Sequence, residues 1–208
     1  INSYKSALAC DPTSAFGGII SCNFKVTKNL AIELNKLFLE VIISNGFDKG
    51  ALKLLKKKKN LRLIDATNYS FKEILKFISS NEEILLQTED FRKFSNKDFK
   101  VVSKKKPTSK QMKNLIFAFN ICRYVKSNAI VLASNETTTG IGSGQPSRLD
   151  SCHIAIDKMK KFINKNNDVV AASDAFFPFV DGIQKLVQSG VSAVIQPFGS
   201  IRDKEIIK

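Results

Sequence analysis

Short apolar runs alternate with amphipathic segments along this chain, and that alternation restricts its fold more than any other feature. The runs EVIIS (40–44), AIVLAS (129–134) and DVVAAS (168–173) have the length and composition of buried strands. Segments with helical spacing lie between them. Strands that alternate with helices predict an α/β architecture, and strands that are apolar throughout predict a sheet covered on both faces.

The same patterns predict further elements. Thr108 and Gln111 have the spacing of a capping box at the start of the clearest helix, and Ser147 is a natural N-cap for another. Residues 66–82 carry no clear signal, and we expect a boundary between 1–103 and 104–208. The predicted strands lie at 18–22, 40–44, 61–65, 83–87, 100–103, 129–134, 138–144, 168–173 and 192–197, with 129–144 forming a hairpin, and the predicted helices at 29–38, 47–58, 107–125, 147–163 and 181–190.

Composition excludes several classes of protein. No apolar run approaches the roughly 18 residues of a membrane span, and no signal peptide is visible at the start. The chain does not begin with Met and stops inside a helical pattern, so we expect a fragment of a longer protein. The four cysteines form no C-x-x-C pair, which disfavours zinc and favours small core residues in a reducing cytoplasm.

The net charge of +14 fits either a nucleic-acid surface or anionic small molecules. Lysine runs such as KLLKKKKN lack interleaved aromatic residues, so nucleic acid is the less favoured partner. Lysine, Asn and Ile enrichment is also typical of an AT-rich genome. The single histidine, His153, lies in a helical pattern and is interpreted as structural.

Four polar or glycine-rich stretches lie next to predicted strands, where α/β proteins collect ligands. They are KSNA (126–129), GIGSGQPSR (140–148), ASDAFFPF (172–179) and QPFGSIRD (196–203). An Asn amide supports a developing oxyanion, a Lys binds an anion or moves a proton, and aromatic residues flank a planar ring. Each stretch also has a purely structural interpretation, as a helix end, a tight strand-to-helix turn or core packing, and at least one phenylalanine is expected in the core.

Together these stretches resemble the AICAR transformylase domain of bifunctional purine biosynthesis proteins. The resemblance covers nearly the whole chain and is carried, in order, by DPTSAFGGIIS, EVII, KKKKNLRL, KVVSKKKPT, VKSNAIVLA, GIGSGQPSRLDS, ASDAFFPFVDGI and GVSAVIQPFGSIRD. It implies a cytidine-deaminase-like three-layer α/β/α fold without catalytic zinc. The chain would hold the end of the first and most of the second of two tandem subdomains.

The resemblance also implies a reaction and a site. The reaction is formyl transfer from 10-formyltetrahydrofolate to AICAR, giving FAICAR, at sites formed across a homodimer interface. Asn128 matches a catalytic asparagine, with Lys126 beside it, and Ser127 and Asp174 fall near a monovalent cation site of the K⁺ type. The remaining implied residues are Ser14, Phe16, Gly17, Glu40, Gln145 and Arg148 on the nucleotide side, and Asp174, Phe176, Phe177 and Phe179 on the folate side.

The sequence also departs from the family pattern. The Lys-His pair of the KHxNPCG motif is expected upstream of Ile1, and His153 lies in the wrong block to replace it. KFISSNEEILLQ stands where RSVSGGLLVQ is expected, without its arginine and paired glycines. We therefore expect the fragment to be inactive by itself. The alternatives are a non-catalytic or degenerate nucleotide- or nucleic-acid-binding module and, less favoured, a zinc deaminase.

Overall fold

The computed structural model describes residues 1–70, 75–162 and 168–208 and has mixed α/β structure. The helices are α1 (Asn2–Ala9), α2 (Lys28–Leu34), α3 (Lys49–Leu55), α4 (Ser109–Cys122), α5 (Arg148–Phe162), α6 (Val180–Gln188) and α7 (Asp203–Ile207), with one 3₁₀ turn at Asn96–Asp98. The strands are β1 (Gly18–Cys22), β2 (Leu39–Ser44), β3 (Arg62–Asp65), β4 (Leu75–Ser80), β5 (Glu83–Thr88), β6 (Ile130–Ser134), β7 (Thr137–Gly142), β8 (Val170–Ser173) and β9 (Ala193–Ile195).

The chain divides into two compact units, the first containing 1–5 and 12–91 and the second 6–11 and 92–208. In the first unit, β1, β2 and β3 form a parallel sheet in that order, connected by α2 and α3. Asp48 caps α3 by accepting a hydrogen bond from the Ala51 amide at 2.6 Å. The core of this unit is built from α2, α3 and β2, through Leu30, Ala31, Leu34, Leu39, Ile42, Ala51 and Leu55.

The second unit contains one mixed sheet in the order β7-β6-β8-β9, covered by helices on both faces. Alternate residues of β6 separate the two cores: Ile130 and Leu132 pack with α5 and α6, while Val131 and Ala133 pack with α4. Every residue of β6 and β8 is buried. This confirms the prediction, made from their unbroken apolar runs, that these strands are covered on both sides.

Most predicted elements are confirmed, including the capping box at α4 and the β6–β7 hairpin. Ser147 accepts a hydrogen bond from the Leu149 amide at 3.2 Å, so it caps α5 as predicted. The last residue of the predicted helix 147–163 lies outside the described residues. Two elements, α1 and β4, were not predicted from the sequence. The two compact units meet along the chain at 91/92, and the subdomain boundary at 103/104 stays a prediction.

The predicted strand at 100–103 is wrong. Its two valines, Val101 and Val102, are 39% and 52% exposed, and the structure assigns no strand to that segment. The β-propensity of valine depends on the neighbours that a strand packs against, and no described strand pairs with this segment. The partner of β5 is instead β4, in an antiparallel hairpin that pairs Leu75 with Thr88 and Phe77 with Leu86.

Three of the four cysteines occupy core positions, as predicted. Cys10, Cys122 and Cys152 are buried and Cys22 is half-buried. Burial raises the pKa of all four thiols, and raises those of Cys122 and Cys152 to about 12. None of the described helices is both long and apolar enough to cross a membrane.

Two glycines of the GIGSG run bring β7 against α5. A Cβ on Gly140 would lie 2.1 Å from the Ala155 carbonyl oxygen, and one on Gly142 would lie 1.8 Å from the Ser151 carbonyl oxygen. No side chain fits at either distance. The run is therefore first a strand-to-helix packing device, and only Gly144, with φ of +67°, adopts a conformation that favours glycine for itself.

We predict that Gly142→Ala destabilises the second unit by about 3 kcal/mol or more, because α5 must move away from β7 to admit the methyl group. The measurement is the urea midpoint of the transition that reports the β6–β9 sheet. Ser143→Ala, at the neighbouring position, should change the free energy of unfolding of the second unit by less than about 1 kcal/mol. Equal midpoints for Gly142→Ala and the parent chain would contradict the packing argument.

Candidate active site

Three connecting segments of the second unit meet at one edge of its sheet. They are the segment before β6 (126–129), the turn between β7 and α5 (143–147) and the segment between β8 and α6 (174–179). Because β6 is antiparallel to both β7 and β8, its first residue, Ile130, pairs with Gly142 and Ser173 at the ends of those strands. Asn128, the glycine turn and the phenylalanine cluster are thus brought together at this edge.

A pocket opens between these segments. Asn128, Arg148, Phe176, Phe177 and Phe179 all border it, so five of the predicted site residues share one cleft. The other lining residues either belong to the stretches 140–148 and 172–179 or, like Leu149, Asp181 and Gly182, follow directly in the helices after them, where the sequence gives no separate signal. The described lining residues are Asn128, Pro146, Ser147, Arg148, Leu149, Ala175, Phe176, Phe177, Pro178, Phe179, Asp181 and Gly182.

The Arg148 guanidinium connects the segments to one another. Its Nη1 donates to Ser173 Oγ at 2.8 Å and to Asp174 Oδ1 at 2.5 Å, while its Nη2 donates to Asn128 Oδ1 at 2.8 Å. The side chain is only 9% exposed. A nearly buried guanidinium with several acceptors in place fixes the geometry of the groups around it.

Asp174 is the acidic partner in this network. It accepts hydrogen bonds from Ser127 Oγ at 2.5 Å and from the Ala129 amide at 3.0 Å, besides the ion pair with Arg148. Burial raises the pKa of Asp174, but the hydrogen bonds from Ser127, Arg148 and Ala129 and the Arg148 charge outweigh burial and bring that pKa below its ordinary value. The carboxylate is therefore ionised at neutral pH.

Asn128 holds the glycine turn in place. Its Nδ2 donates to the backbone carbonyl oxygens of Gln145 at 2.9 Å and Pro146 at 3.1 Å. The backbone carbonyl oxygen of Asn128 accepts a hydrogen bond from Ser151 Oγ at 2.8 Å. An amide nitrogen has two donor hydrogens, and both have acceptors here. The side chain can therefore donate to a ligand only by exchanging one of these backbone acceptors.

Lys126 and Gln145 flank the turn rather than the pocket. The Lys126 carbonyl oxygen accepts from the Gly144 amide at 2.8 Å, and the Lys126 stem passes about 3.7 Å from where a Cβ on Gly144 would be. The Gln145 side chain donates to the Ser143 carbonyl oxygen at 3.0 Å. Among the described residues that line the pocket, neither Lys126 nor Gln145 is included.

The three phenylalanines of ASDAFFPF have different environments. Phe177 is 1% exposed and packs in the core on the α5 side, so the prediction of at least one core phenylalanine is confirmed. Phe176 and Phe179 are 40% and 52% exposed and border the pocket. The two outer rings are therefore the ones available to a ligand.

The residues predicted on the nucleotide side, in the first unit, lie around the start of β1 and β2. Gly17, with φ of +73°, donates its amide to the Phe38 carbonyl oxygen at 2.9 Å, and a Cβ on it would lie 3.6 Å from Glu40 Oε1. Phe16 is 73% exposed and its ring lies 4.9 Å from that of Phe38, an aromatic partner that sequence reasoning missed. Ser14 is exposed in the preceding turn.

The two side chains predicted near a monovalent cation, Ser127 and Asp174, contact one another. Ser127 Oγ donates a hydrogen bond to Asp174 Oδ2 at 2.5 Å. Among the described residues, no group of three or more His, Cys, Asp and Glu side chains is placed to hold a metal ion.

Comparison with known proteins identifies similar sequences. Residues 1–158 match the model of a family described as the AICARFT/IMPCHase bienzyme. The chain is 45% identical over 207 residues to the bifunctional purine biosynthesis protein PurH of Fusobacterium nucleatum, covering 99% of this chain and 40% of that protein. The protein of the same name from Persephonella marina is 44% identical over 207 residues, which cover 99% of this chain and 40% of that protein. The one from Chlorobium phaeobacteroides is 41% identical over 207 residues, which cover 100% of this chain and 39% of that protein. The chain thus spans about two fifths of the length of these relatives.

We predict that Asp174→Asn destabilises the second unit by about 1–3 kcal/mol at pH 7 and by much less in strong acid. Because the pKa of Asp174 is lower in the folded chain than in the unfolded one, its stabilisation is complete above the ordinary aspartate pKa of about 4. That contribution is lost as the pH falls through the folded-state pKa. Urea unfolding of the parent and variant chains at pH 7 and below pH 3 measures the difference.

The matched control is Asp157→Asn, an exposed aspartate on α5. It should change the free energy of unfolding by no more than about 0.5 kcal/mol at neutral pH. A gap between the parent chain and Asp174→Asn that stays constant from pH 7 to strong acid would show that Asp174 does not act through its charge.

Proposed function

The chain belongs to the AICARFT/IMPCHase bienzyme family, and on that premise we propose that it forms part of the site that transfers a formyl group from 10-formyltetrahydrofolate to AICAR, giving FAICAR, in purine biosynthesis. The whole protein would also carry IMP cyclohydrolase activity outside these residues. The observation that supports the transferase site most strongly is the pocket in which exposed aromatic rings and an arginine-anchored asparagine meet.

The folate fits the aromatic side of this pocket. Phe176 and Phe179 present ring faces, and Asp181 adds a carboxylate that accepts hydrogen bonds from an aminopyrimidine ring. Phe177 supports this side from the core, since a Cβ on Gly182 would come within 2.7 Å of its ring. The buried ring therefore packs directly against the first turn of α6.

Formyl transfer requires orientation of a weakly nucleophilic amine and stabilisation of a tetrahedral oxyanion. Asn128 supplies the amide donor when it exchanges the Pro146 or Gln145 carbonyl oxygen for the developing oxyanion, and Arg148 keeps the amide in place through Asn128 Oδ1. Lys126 acts from the same segment on anionic groups or protons. Gln145 and Arg148 would complete the substrate side.

The first unit's group has the chemistry of a nucleotide-binding surface by itself. Phe16 and Phe38 provide aromatic faces, Glu40 provides acceptors for ribose hydroxyls, and the Ser14–Gly17 turn brings backbone close to the ligand. A K⁺ ion near Ser127 and Asp174 stays part of the proposal, and we assign it no step in the reaction. Asp174 itself acts by anchoring Arg148 and Ser127.

The fold extends the proposal. Residues 104–208 would form most of a second cytidine-deaminase-like three-layer subdomain, and 1–103 the end of a first. The helices on both faces of the β7-β6-β8-β9 sheet support the layered arrangement, and the parallel β1-β2-β3 sheet is compatible with a related first half.

The β4–β5 hairpin supports a homodimer. Every residue of both strands is exposed, including six large apolar ones that are 60–72% exposed: Leu75, Phe77, Ile78, Ile84, Leu85 and Leu86. By the register of the hairpin, Leu75, Phe77, Ile84 and Leu86 lie on one face and form an exposed apolar patch. An isolated two-stranded hairpin is at best marginally stable in water. Glu82 and Glu83 add an acidic tip to a chain of net charge +14, which makes a second copy a complementary partner.

We predict that Phe176→Ala and Phe179→Ala each weaken the binding of folic acid about tenfold, since each removes a stacking face worth about 1.4 kcal/mol. Isothermal titration calorimetry gives the dissociation constants. Tyr124→Ala removes an equally exposed aromatic ring, 80% exposed, that is not among the described lining residues, and should leave folic acid binding unchanged. Equal weakening by all three variants would count against the pocket.

We also predict no formyl transfer by residues 1–208 alone. Their one histidine, His153, lies on α5 and is not among the described lining residues of the pocket, so no imidazole serves as general base there. The assay follows FAICAR formation from AICAR and 10-formyltetrahydrofolate. Turnover above the uncatalysed rate would contradict this account of the base.

We predict that Phe77→Lys converts the dimer to a monomer, because it places a charge on the apolar face shared with Leu86. Light scattering coupled to size-exclusion chromatography measures the mass. Tyr124→Lys adds the same charge at another exposed aromatic position and should remain dimeric. A monomeric parent chain, or a dimer that survives Phe77→Lys, would exclude the hairpin as the dimer contact.

A further inference from the structure

Arg202, which is not among the described lining residues of the pocket, lies over the ring of Phe179. The guanidinium carbon of Arg202 lies 4.9 Å from the centre of the Phe179 ring, and Phe179 borders the pocket. Both side chains are about half exposed. A guanidinium that stacks by its face keeps its N–H groups directed outward along its edge, free to bind an acceptor.

The segment that carries Arg202 is fixed to the pocket wall by its neighbours. Gln196 accepts the Phe177 amide at 3.0 Å and its side-chain nitrogen lies 3.4 Å from Asp203 Oδ1, while Asp203 Oδ2 accepts the Gly199 amide at 2.9 Å. Asp203 is 6% exposed. The residue next to Arg202 is thus anchored, so the position of the guanidinium relative to the pocket is built into the fold.

The acidic partner that Arg202 already has is a weak one. Glu205 Oε2 lies 3.8 Å from Arg202 Nη1, and both side chains are about half exposed or more. Exposed pairs at that separation contribute little, so a ligand carboxylate with bidentate geometry displaces Glu205 readily. Arg202 is therefore available to an anion that reaches the rim of the pocket.

We propose that Arg202 binds a glutamate carboxylate of the folate, at a subsite on the rim of the pocket. This rests on the proposed function, which places the folate against the exposed rings of Phe176 and Phe179. A folate is a pterin ring joined through an aminobenzoyl group to glutamate, so a pterin inside the pocket directs the aminobenzoyl group and the carboxylates outward. Phe179 then contacts the aromatic part and Arg202 the charged part.

The test isolates the carboxylates by comparing folic acid with its dimethyl ester, which keeps every ring but has no charge on the glutamate. Calorimetric titration gives dissociation constants for both ligands with the parent chain and with Arg202→Gln. Arg202→Gln should weaken the binding of folic acid about tenfold, equivalent to about 1.4 kcal/mol, and the binding of the ester less than twofold. Lys204→Gln, which removes a neighbouring exposed charge, should change neither.

The other outcomes distinguish a failure of the carboxylate subsite from a failure of the proposed folate pocket. Equal weakening of folic acid and the ester by Arg202→Gln, or no weakening of either, overturns the carboxylate subsite while the pocket stands. Weakening of folic acid by Lys204→Gln to the same degree also overturns it, because the effect would then be general charge. If the parent chain binds neither ligand, both the subsite and the proposed folate pocket are wrong.

Discussion

The Arg148 guanidinium is the interaction on which the site depends. It is nearly buried at the first residue of α5 and binds Asn128, Ser173 and Asp174, which come from two other segments of the chain. Burying a charge is unfavourable unless partners replace its water, and removal of one partner leaves the other charge unsatisfied. Because Asp174 is satisfied by Ser127 and the Ala129 amide as well, the network holds the segment before β6 against the segment after β8.

Elements with strong local signals were predictable. The buried runs of β6 and β8 and the capping box of α4 depend on residues that are close in sequence, so pattern alone identifies them. The failures have a tertiary cause. Val101 and Val102 look like strand residues, yet no described strand adjoins them, whereas β4 carried no clear signal and forms by pairing with β5. Pairing partners are not encoded in a local window.

The site shows the same division. Residue types next to strand ends pointed to Asn128, Asp174 and the phenylalanine cluster, and the family resemblance pointed to Arg148. The register of β6 with β7 and β8 brings them together. What pattern could not supply is which side chain has which role. Phe177 lies in the core, and Gly140 and Gly142 admit helix α5 instead of a ligand. Phe38 was missed because it acts through Phe16, and Asp181 was missed because only the folded chain brings it to the pocket.

Two exposed apolar surfaces among the described residues differ in composition, and this argues for two kinds of occupant. On the hairpin, Phe77 and Leu86 are paired across strands and form a continuous face, as a protein–protein contact requires. Beside the pocket, Phe176 and Phe179 are separate rings, with Arg148, Asp181 and Arg202 nearby. Isolated rings among oriented charges suit a small ligand that is part aromatic and part charged, because polar groups fix its orientation while the rings exclude water.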